Sequence, residues 1–240
     1  MTLDPAAASA AAAAAPQGVG VASITAMISA AAAVIAVIVG FVINRNTLKT
    51  ARETAEAAAW QKANEAELKV IQDRLDRFFG PFRQMSGVNR LMSRDLRDRQ
   101  SDSRFILLEK LFDKAWLTSR SAGETALIAE IAANAKTLRE FIAQHAGMVD
   151  EKITPYLSRV SAHYRILELA HEGKLGSDPA PFVIRYVFPA QIDQVLELEV
   201  ARLERRRALL MQKPFAAPPA REELALPSET ALKEWPKTPC

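Results

Sequence analysis

The sequence predicts an all-α protein that begins with a transmembrane helix, and three observations support that class. Residues 19–44 are all apolar or small and neutral, and about 20 helical residues can cross a hydrocarbon core of about 30 Å. Residues 45–79 contain no Gly or Pro and are rich in strong helix formers. Later segments repeat apolar residues at spacings of three and four, as in helices that bury one face.

The apolar segment 19–44 has three interpretations: a cleaved signal peptide, a core helix of a soluble domain, or a membrane span. A signal peptide carries basic residues before its apolar run, but residues 2–18 contain Asp4 and no Lys or Arg. A core helix needs core-forming neighbours, whereas residues 1–18 consist mainly of Ala with two prolines. We therefore expect an uncleaved signal anchor that follows a disordered N-terminus over 1–18.

The first basic residues follow the apolar run, at Arg45, Lys49 and Arg52. Cytoplasmic flanks of membrane spans are enriched in Lys and Arg. This asymmetry predicts a single-pass protein with its N-terminus outside and its C-terminus in the cytoplasm.

Small residues recur every four positions along one face of the predicted span, at Ala32, Ala36 and Gly40. Such a face allows two transmembrane helices to approach closely. An Ala-rich segment also produces this pattern by chance, so the face is a candidate helix–helix contact. The predicted partners are accordingly the lipid bilayer, an unidentified protein, and, as a further option, a second copy of this chain.

Residues 45–79 are predicted to continue the membrane helix as a juxtamembrane stalk. Its apolar positions are mostly Ala at first and become larger at Leu68, Ile71 and Leu75, so the far end should pack and could pair as a coiled coil. The stalk meets the sequence FFGPF, where Gly80 and Pro81 predict a break or sharp kink. These two residues are the expected stalk–body hinge.

Residues 80–213 are predicted to form a small cytoplasmic bundle of four to five helices. The second helix begins at Pro81, the third spans 103–116 with Ser103 as its cap, and the last begins at Pro189. The strongest periodicity predicts an antiparallel helical hairpin that ends near Gly147 and Gly173. Its apolar faces consist of Ile128, Ile131, Ala135, Leu138, Ile142 and His145 in one helix and Ile153, Tyr156, Leu157, Val160, Tyr164, Leu167 and His171 in the other.

Two segments interrupt the helical pattern. The run FVIRYVF at 182–188 has strand composition but no other strand to pair with, so we expect an ordered apolar loop across the helices. Residues 214–240 are rich in Pro and lack periodicity, which predicts a disordered tail.

The order of anchor, Ala-rich stalk, RFFGPF break, HYRILELAHEGKL and YVFP resembles a group of uncharacterised bacterial single-pass membrane proteins. The resemblance covers most of residues 20–210. It implies a bacterial inner (plasma) membrane location and no particular activity.

Motifs for catalysis or cofactor binding are absent from the sequence, which lacks a P-loop, a Gly-x-Gly-x-x-Gly and a Gly-x-Ser-x-Gly. The single cysteine, Cys240, is the last residue. Glu168 and His171 have the Glu-x-x-His spacing of di-metal bundles, but Glu140 and His145 do not supply the second copy that such sites need. We expect no metal, no cofactor and no enzymatic activity.

The charge pattern also disfavours nucleic acid as a partner. The net charge is only +3, and the arginines of the segment 90–104 alternate with Asp95, Asp98 and Asp102. Interleaved carboxylates cancel most of the field that a phosphate backbone would feel.

These features predict a membrane-tethered cytoplasmic scaffold or adaptor that acts by protein–protein interaction. The alternative is a membrane-acting effector or sensor, of the stress-response or phage-defence kind, that signals through its transmembrane helix. An effector should lose its effect when the span is exchanged for an unrelated one, whereas a scaffold should tolerate that exchange.

Overall fold

The computed structural model describes residues 19–102 and 104–234, with side chains from Ala31 onward. The described chain is helical and contains no strand. The predicted N-terminal disorder over 1–18, the Ser103 cap and Cys240 lie outside the described residues. The chain divides into two compact units, of which the second begins at Ala58; we call the part of that second unit that ends with Lys213 the helical body.

Helix α1 spans Val19–Arg74. Its first part, in the N-terminal unit, carries large apolar side chains that are all exposed, such as Val37 at 71% and Phe41 at 66%. By length and composition this helix could cross a membrane. Farther along, the helix enters the body's core at Ile71.

The expected break at Gly80 and Pro81 does not occur. A π-helical turn, Leu75–Phe79, joins α1 directly to α2, Gly80–Asp98, and Gly80 has ordinary helical angles of φ −60° and ψ −60°. The Gly80 N–H donates to the Leu75 carbonyl, five residues back. This wider turn relieves the clash that Pro81 would otherwise make with the carbonyl four residues before it, so the chain passes from α1 to α2 without leaving helical geometry.

The π-turn places three phenylalanines in the core. Phe78, Phe79 and Phe82 are each at most 1% exposed. The Phe78 ring contacts Phe79 edge-on, with centroids 5.1 Å apart, and stacks on Phe82 and Phe141 at 5.7 and 5.8 Å. The five-residue register of the turn thus presents consecutive aromatic residues to one interior.

The predicted hairpin is confirmed as α5, Ala122–His145, and α6, Thr154–His171. Ser121 and Glu124 form a reciprocal capping box at the start of α5. The two helices make the most extensive helix–helix contact in the body, and the Arg139–Glu168 ion pair also joins them. The predicted apolar faces are buried except for His145, which is half-buried, and His171, which is exposed.

The two hairpin helices end differently from one another. At the end of α6, Gly173 has φ +69°, Gly173 N–H donates to the Ala170 carbonyl and Lys174 N–H to the Leu169 carbonyl. This Schellman motif needs a residue that tolerates a left-handed conformation. Gly147, the predicted end of α5, lies instead in a 3-10 turn, Ala146–Met148, without positive φ.

Four further helices complete the described part of the body. The predicted third helix is two short ones, α3, Leu107–Lys110, and α4, Lys114–Thr118, because Asp113 adopts an extended conformation and caps α4. The run 182–188 is no strand; it contains the end of a short helix, α7, Ala180–Val183. The last helix, α8, spans Ile192–Gln212.

The structure differs from the predicted disorder over part of the C-terminal segment. Residues 214–234, which we call the tail segment, lie along the body with a single 3-10 turn, Ser228–Thr230. Leu224 is 2% exposed and Thr230 is fully buried. Proline removes helical structure from this segment, but hydrogen bonds from body side chains satisfy its carbonyls. Residues 235–240 lie outside the described part of the chain.

Candidate functional site

The body holds the tail segment in a groove formed by α1, α8 and the chain from Asp150 to Arg159. We call this surface the tail groove. Its polar side chains are Asn64 and Glu67 from α1, Arg202 and Arg206 from α8, and Lys152, Tyr156 and Arg159. Most of these side chains contact backbone carbonyls of the tail segment, so the groove binds the backbone more than particular side chains.

At one end of the groove, Asn64 holds the chain where it leaves α8. The Asn64 side chain is 2% exposed. Its Nδ2 lies 3.4 Å from the carbonyl oxygen of Lys213, 2.9 Å from that of Pro214 and 3.0 Å from that of Ala216. One buried amide thus holds the turn from helix to extended chain.

In the middle of the groove, an ion pair extends onto the tail segment. Arg206 donates to both carboxylate oxygens of Glu67 at 2.9 and 3.1 Å, and to the Pro219 carbonyl at 2.6 Å. Arg221 of the tail segment lies 3.3 Å from the same carboxylate. The hydrogen bond from Arg206 lowers the pKa of Glu67 against the opposing effect of burial, so Glu67 stays ionised and orients both arginines.

At the other end, three body side chains hold the rest of the segment. Lys152 Nζ donates to the Leu224 carbonyl at 2.9 Å. The Tyr156 hydroxyl donates to the Thr230 carbonyl at 3.0 Å, and Arg159 donates to the Lys233 carbonyl. Leu224 is the deepest apolar side chain of the segment, and Phe215, near its start, is 59% exposed.

A buried carboxylate supports the groove from below. Glu199 is fully buried; its Oε1 accepts from Arg74 at 2.8 Å, and its two oxygens accept from Arg202 at 2.7 and 2.8 Å. Arg202 also donates to Asp150 at 3.2 Å and to the Glu222 carbonyl of the tail segment at 2.8 Å. Because a buried carboxylate requires charged partners, Glu199 fixes the position of Arg202.

The groove is not filled by the segment that lies in it. An open cleft of about 1250 Å³ remains between residues 218–224 and the body. Its charged lining includes Lys152, Arg205 and Arg206 beside Glu67 and Asp150. Protein interiors are normally packed without voids of this size, so residues 219–223 lie over the body, and only Leu224 at the end of this stretch joins the core.

A second cavity, of about 480 Å³, lies between α2, α6 and the chain from Tyr186 to Asp193. We call it the polar pocket. Asn89, which is 6% exposed, lines it, and its Oδ1 has no hydrogen-bond partner. Arg90 donates to Asp193 across the rim at 2.6 Å.

Burial shifts the pKa of two titratable groups that line the polar pocket. Burial raises the pKa of Tyr164 to about 12, against hydrogen bonds with Asn89 and Ser86 that lower it. Burial lowers the pKa of His163, whose Nδ1 lies 2.6 Å from the Tyr186 carbonyl oxygen. Both groups are therefore neutral near pH 7, and the pocket offers uncharged donors inside a charged rim.

The site residues predicted from sequence lie elsewhere. Ala32, Ala36 and Gly40 are exposed on α1, and a Cβ added at Gly40 would meet nothing within 4 Å. Gly80 and Pro81 lie in the continuous helix described above. None of these residues contacts the tail groove or the polar pocket within the described chain.

The two residues of the Glu-x-x-His pair, Glu168 and His171, lie in different environments. Glu168 is buried and pairs with Arg165 at 3.0 Å and with Arg139 at 3.4 Å, whereas His171 is exposed. Among the described residues, no group of three or more His, Cys, Asp or Glu side chains is arranged to hold a metal ion. The glutamate thus neutralises two arginines of the hairpin.

The sequence analysis missed the two polar residues that organise the groove, although a signal exists. Asn64 precedes Leu68, Ile71 and Leu75 at spacings of four, three and four. Glu199 follows Val195 by four in the same way. A polar residue in register with an apolar face predicts a buried polar contact.

Comparison with known proteins adds no relative: no family model, no curated protein and no solved structure matches this chain.

Proposed function

We propose that this protein is a membrane-anchored adaptor that holds a protein partner at the cytoplasmic face of the bacterial inner membrane. The observation that carries the proposal is the exposed apolar surface of α1 between Val34 and Ile43, where every large side chain is about half exposed or more. Exposure of so many large apolar side chains in water is unfavourable, and a lipid bilayer is the environment that such a segment matches. The basic residues after it support a cytoplasmic C-terminal side.

The helical body supplies the binding function in this proposal. The tail groove is supported by a buried charge network, contacts extended chain through carbonyls and keeps a large open cleft. Attachment to a membrane confines a partner to a surface and raises its effective concentration there. An adaptor needs only an anchor and a binding surface, and no reaction is proposed.

Cross-linking in native membranes, followed by mass spectrometry, tests the adaptor function. The full chain is compared with a variant in which residues 19–44 are replaced by an unrelated single span. An adaptor should cross-link reproducibly to the same protein in both cases, through residues of the body. Cross-links to no other protein in either form would contradict the proposal.

The polar pocket favours a second candidate, a membrane-acting sensor. The unpartnered Asn89 Oδ1 is a buried acceptor that a small molecule with an N–H or O–H group could satisfy. A sensor that signals through the span should alter membrane permeability when it is overproduced, and it should lose this effect in the span-exchange variant. Unchanged permeability in both forms would exclude this candidate.

A further inference from the structure

We propose that the tail groove is a docking site for an extended, proline-containing segment of a partner protein, and that the tail segment occupies it in its absence. This inference rests on the proposed adaptor function and specifies the chemistry of its partner. The contacts between the body and the tail segment define which kind of chain the groove can bind.

The body contacts that hold the tail segment are largely independent of its side chains. Asn64, Arg206, Arg202, Lys152 and Tyr156 all donate to backbone carbonyls of that segment. Every extended chain presents such acceptors, and proline, which has no N–H to donate, suits a groove that contacts the backbone of the segment through donors. Proline-rich segments commonly bind other proteins as preformed extended chain.

Side-chain selectivity comes from a few positions. Leu224 and Thr230 are the only tail-segment side chains that are at most 2% exposed. Arg221, which pairs with Glu67 at 3.3 Å, has a side chain that is 77% exposed. A partner segment therefore needs a leucine-sized apolar residue at the depth of Leu224 and acceptors along its backbone.

The tail segment is also suited to leave the groove. Residues 214–223 are exposed apart from the half-buried Pro214 and Pro218, and the open cleft lies beneath residues 218–224. Segments with few buried apolar contacts open at lower free energy than the core. A partner that fills the cleft would gain contacts that the tail segment lacks.

The tail segment is covalently connected to the body, which explains how it can occupy the groove with so few apolar contacts. A tethered segment acts at an effective concentration on the order of millimolar. An identical free peptide therefore competes poorly with the intact tail segment, but it should bind well once that segment is released. This difference makes the proposal testable with a peptide of known sequence.

The probe is a fluorescein-labelled peptide with the sequence of residues 214–233, titrated against full-length protein in detergent micelles and followed by fluorescence anisotropy. Two variants release the tail segment: Leu224→Asp, and a chain that ends at Lys213. Each should bind the peptide at least about tenfold more tightly than the unmodified protein. Phe215→Asp, a change at an exposed position of the same segment, should bind it like the unmodified protein.

Two results would overturn the proposal. In the first, both variants keep the far-UV circular dichroism of the unmodified protein but bind the peptide no more tightly. In the second, both variants lose their helical signal, because the tail segment would then be a required part of the fold. A peptide that carries Asp at the position of Leu224 should not bind, and equal binding of both peptides would also overturn the docking site. Any of these failures leaves the adaptor proposal in place, because native cross-linking tests that proposal separately.

Discussion

The buried carboxylate of Glu199 provides the sharpest test of how the groove is built. The prediction is that Glu199→Ala strongly destabilises the helical body. Glu199 is fully buried and accepts three hydrogen bonds from two arginines, at 2.7 to 2.8 Å. Removing one partner of a buried ion pair costs about 3–5 kcal/mol.

The structure favours the lower end of that range. After the substitution Arg202 keeps Asp150 and the Glu222 carbonyl, and Arg74 keeps the Met148 carbonyl. Neither guanidinium is left entirely without an acceptor, so we expect a loss of about 3 kcal/mol. For a folded unit of about 180 residues this corresponds to a fall in Tm of roughly 6–12 °C.

The assay is thermal and urea unfolding of the full-length protein in detergent micelles, followed by circular dichroism and tryptophan fluorescence. Glu197→Ala, at an exposed position of the same helix, is the matched control and should change stability by less than about 0.5 kcal/mol. The double variant Glu199→Leu with Arg74→Met should recover much of the loss, because an apolar pair needs no charged partner. A loss for Glu199→Ala as small as that of the control would show that the buried ion pair does not stabilise the body.

Three further predictions concern acid, alkali and the membrane helix. Burial holds the pKa of His163 below its usual value, so at mildly acidic pH the unfolded chain takes up a proton that the folded chain does not. The free energy of unfolding should therefore fall as the pH drops below about 6.5. Unfolding curves between about pH 7.5 and 5.5 should show a smaller fall for His163→Asn. If the free energy of unfolding depends on pH equally in both proteins, His163 is not the group that titrates. Absorbance at 295 nm should show a tyrosine titrating near pH 12 that is missing from Tyr164→Phe, and loss of a tyrosine that titrates near pH 10 would contradict the assignment. If Ala32, Ala36 and Gly40 form a contact between two membrane helices, Gly40→Leu should weaken self-association in membranes, because the added side chain meets nothing in its own chain and can clash only with a second helix. Val42→Leu is the control. Equal association of both variants would show that this face is not the contact.

The sequence predicted best those elements whose stability comes from a regular apolar face. The α5–α6 hairpin is an example, since Ile131, Leu138, Val160 and Leu167 are buried in the register that their spacing indicates. The C-terminal end of α6 was also predicted correctly, because Gly173 is needed where the chain adopts a left-handed conformation.

Other features depend on contacts that local pattern does not contain. The π-turn before Gly80 accommodates Pro81 and accompanies the burial of three phenylalanines in one interior, so the helix widens where composition predicts a break. The tail segment lacks periodicity, and its order depends on donors elsewhere in the chain, several of which, such as Asn64 and Tyr156, lie more than 50 positions earlier. Composition alone therefore indicates disorder there, and only the tertiary structure supplies the partners.

The most direct test of the central claim is site-specific photo-cross-linking in native membranes. Leu209 lines the open cleft and is 47% exposed, so a photo-reactive amino acid at its position reports what lies in the groove. We expect cross-links to a proline-containing segment of another protein, and stronger ones when Leu224→Asp releases the tail segment. The same probe at exposed Ala129 on α5 should not capture that segment. Cross-links confined to the chain's own tail segment in the unmodified protein, with none to another protein after its release, would contradict this expectation.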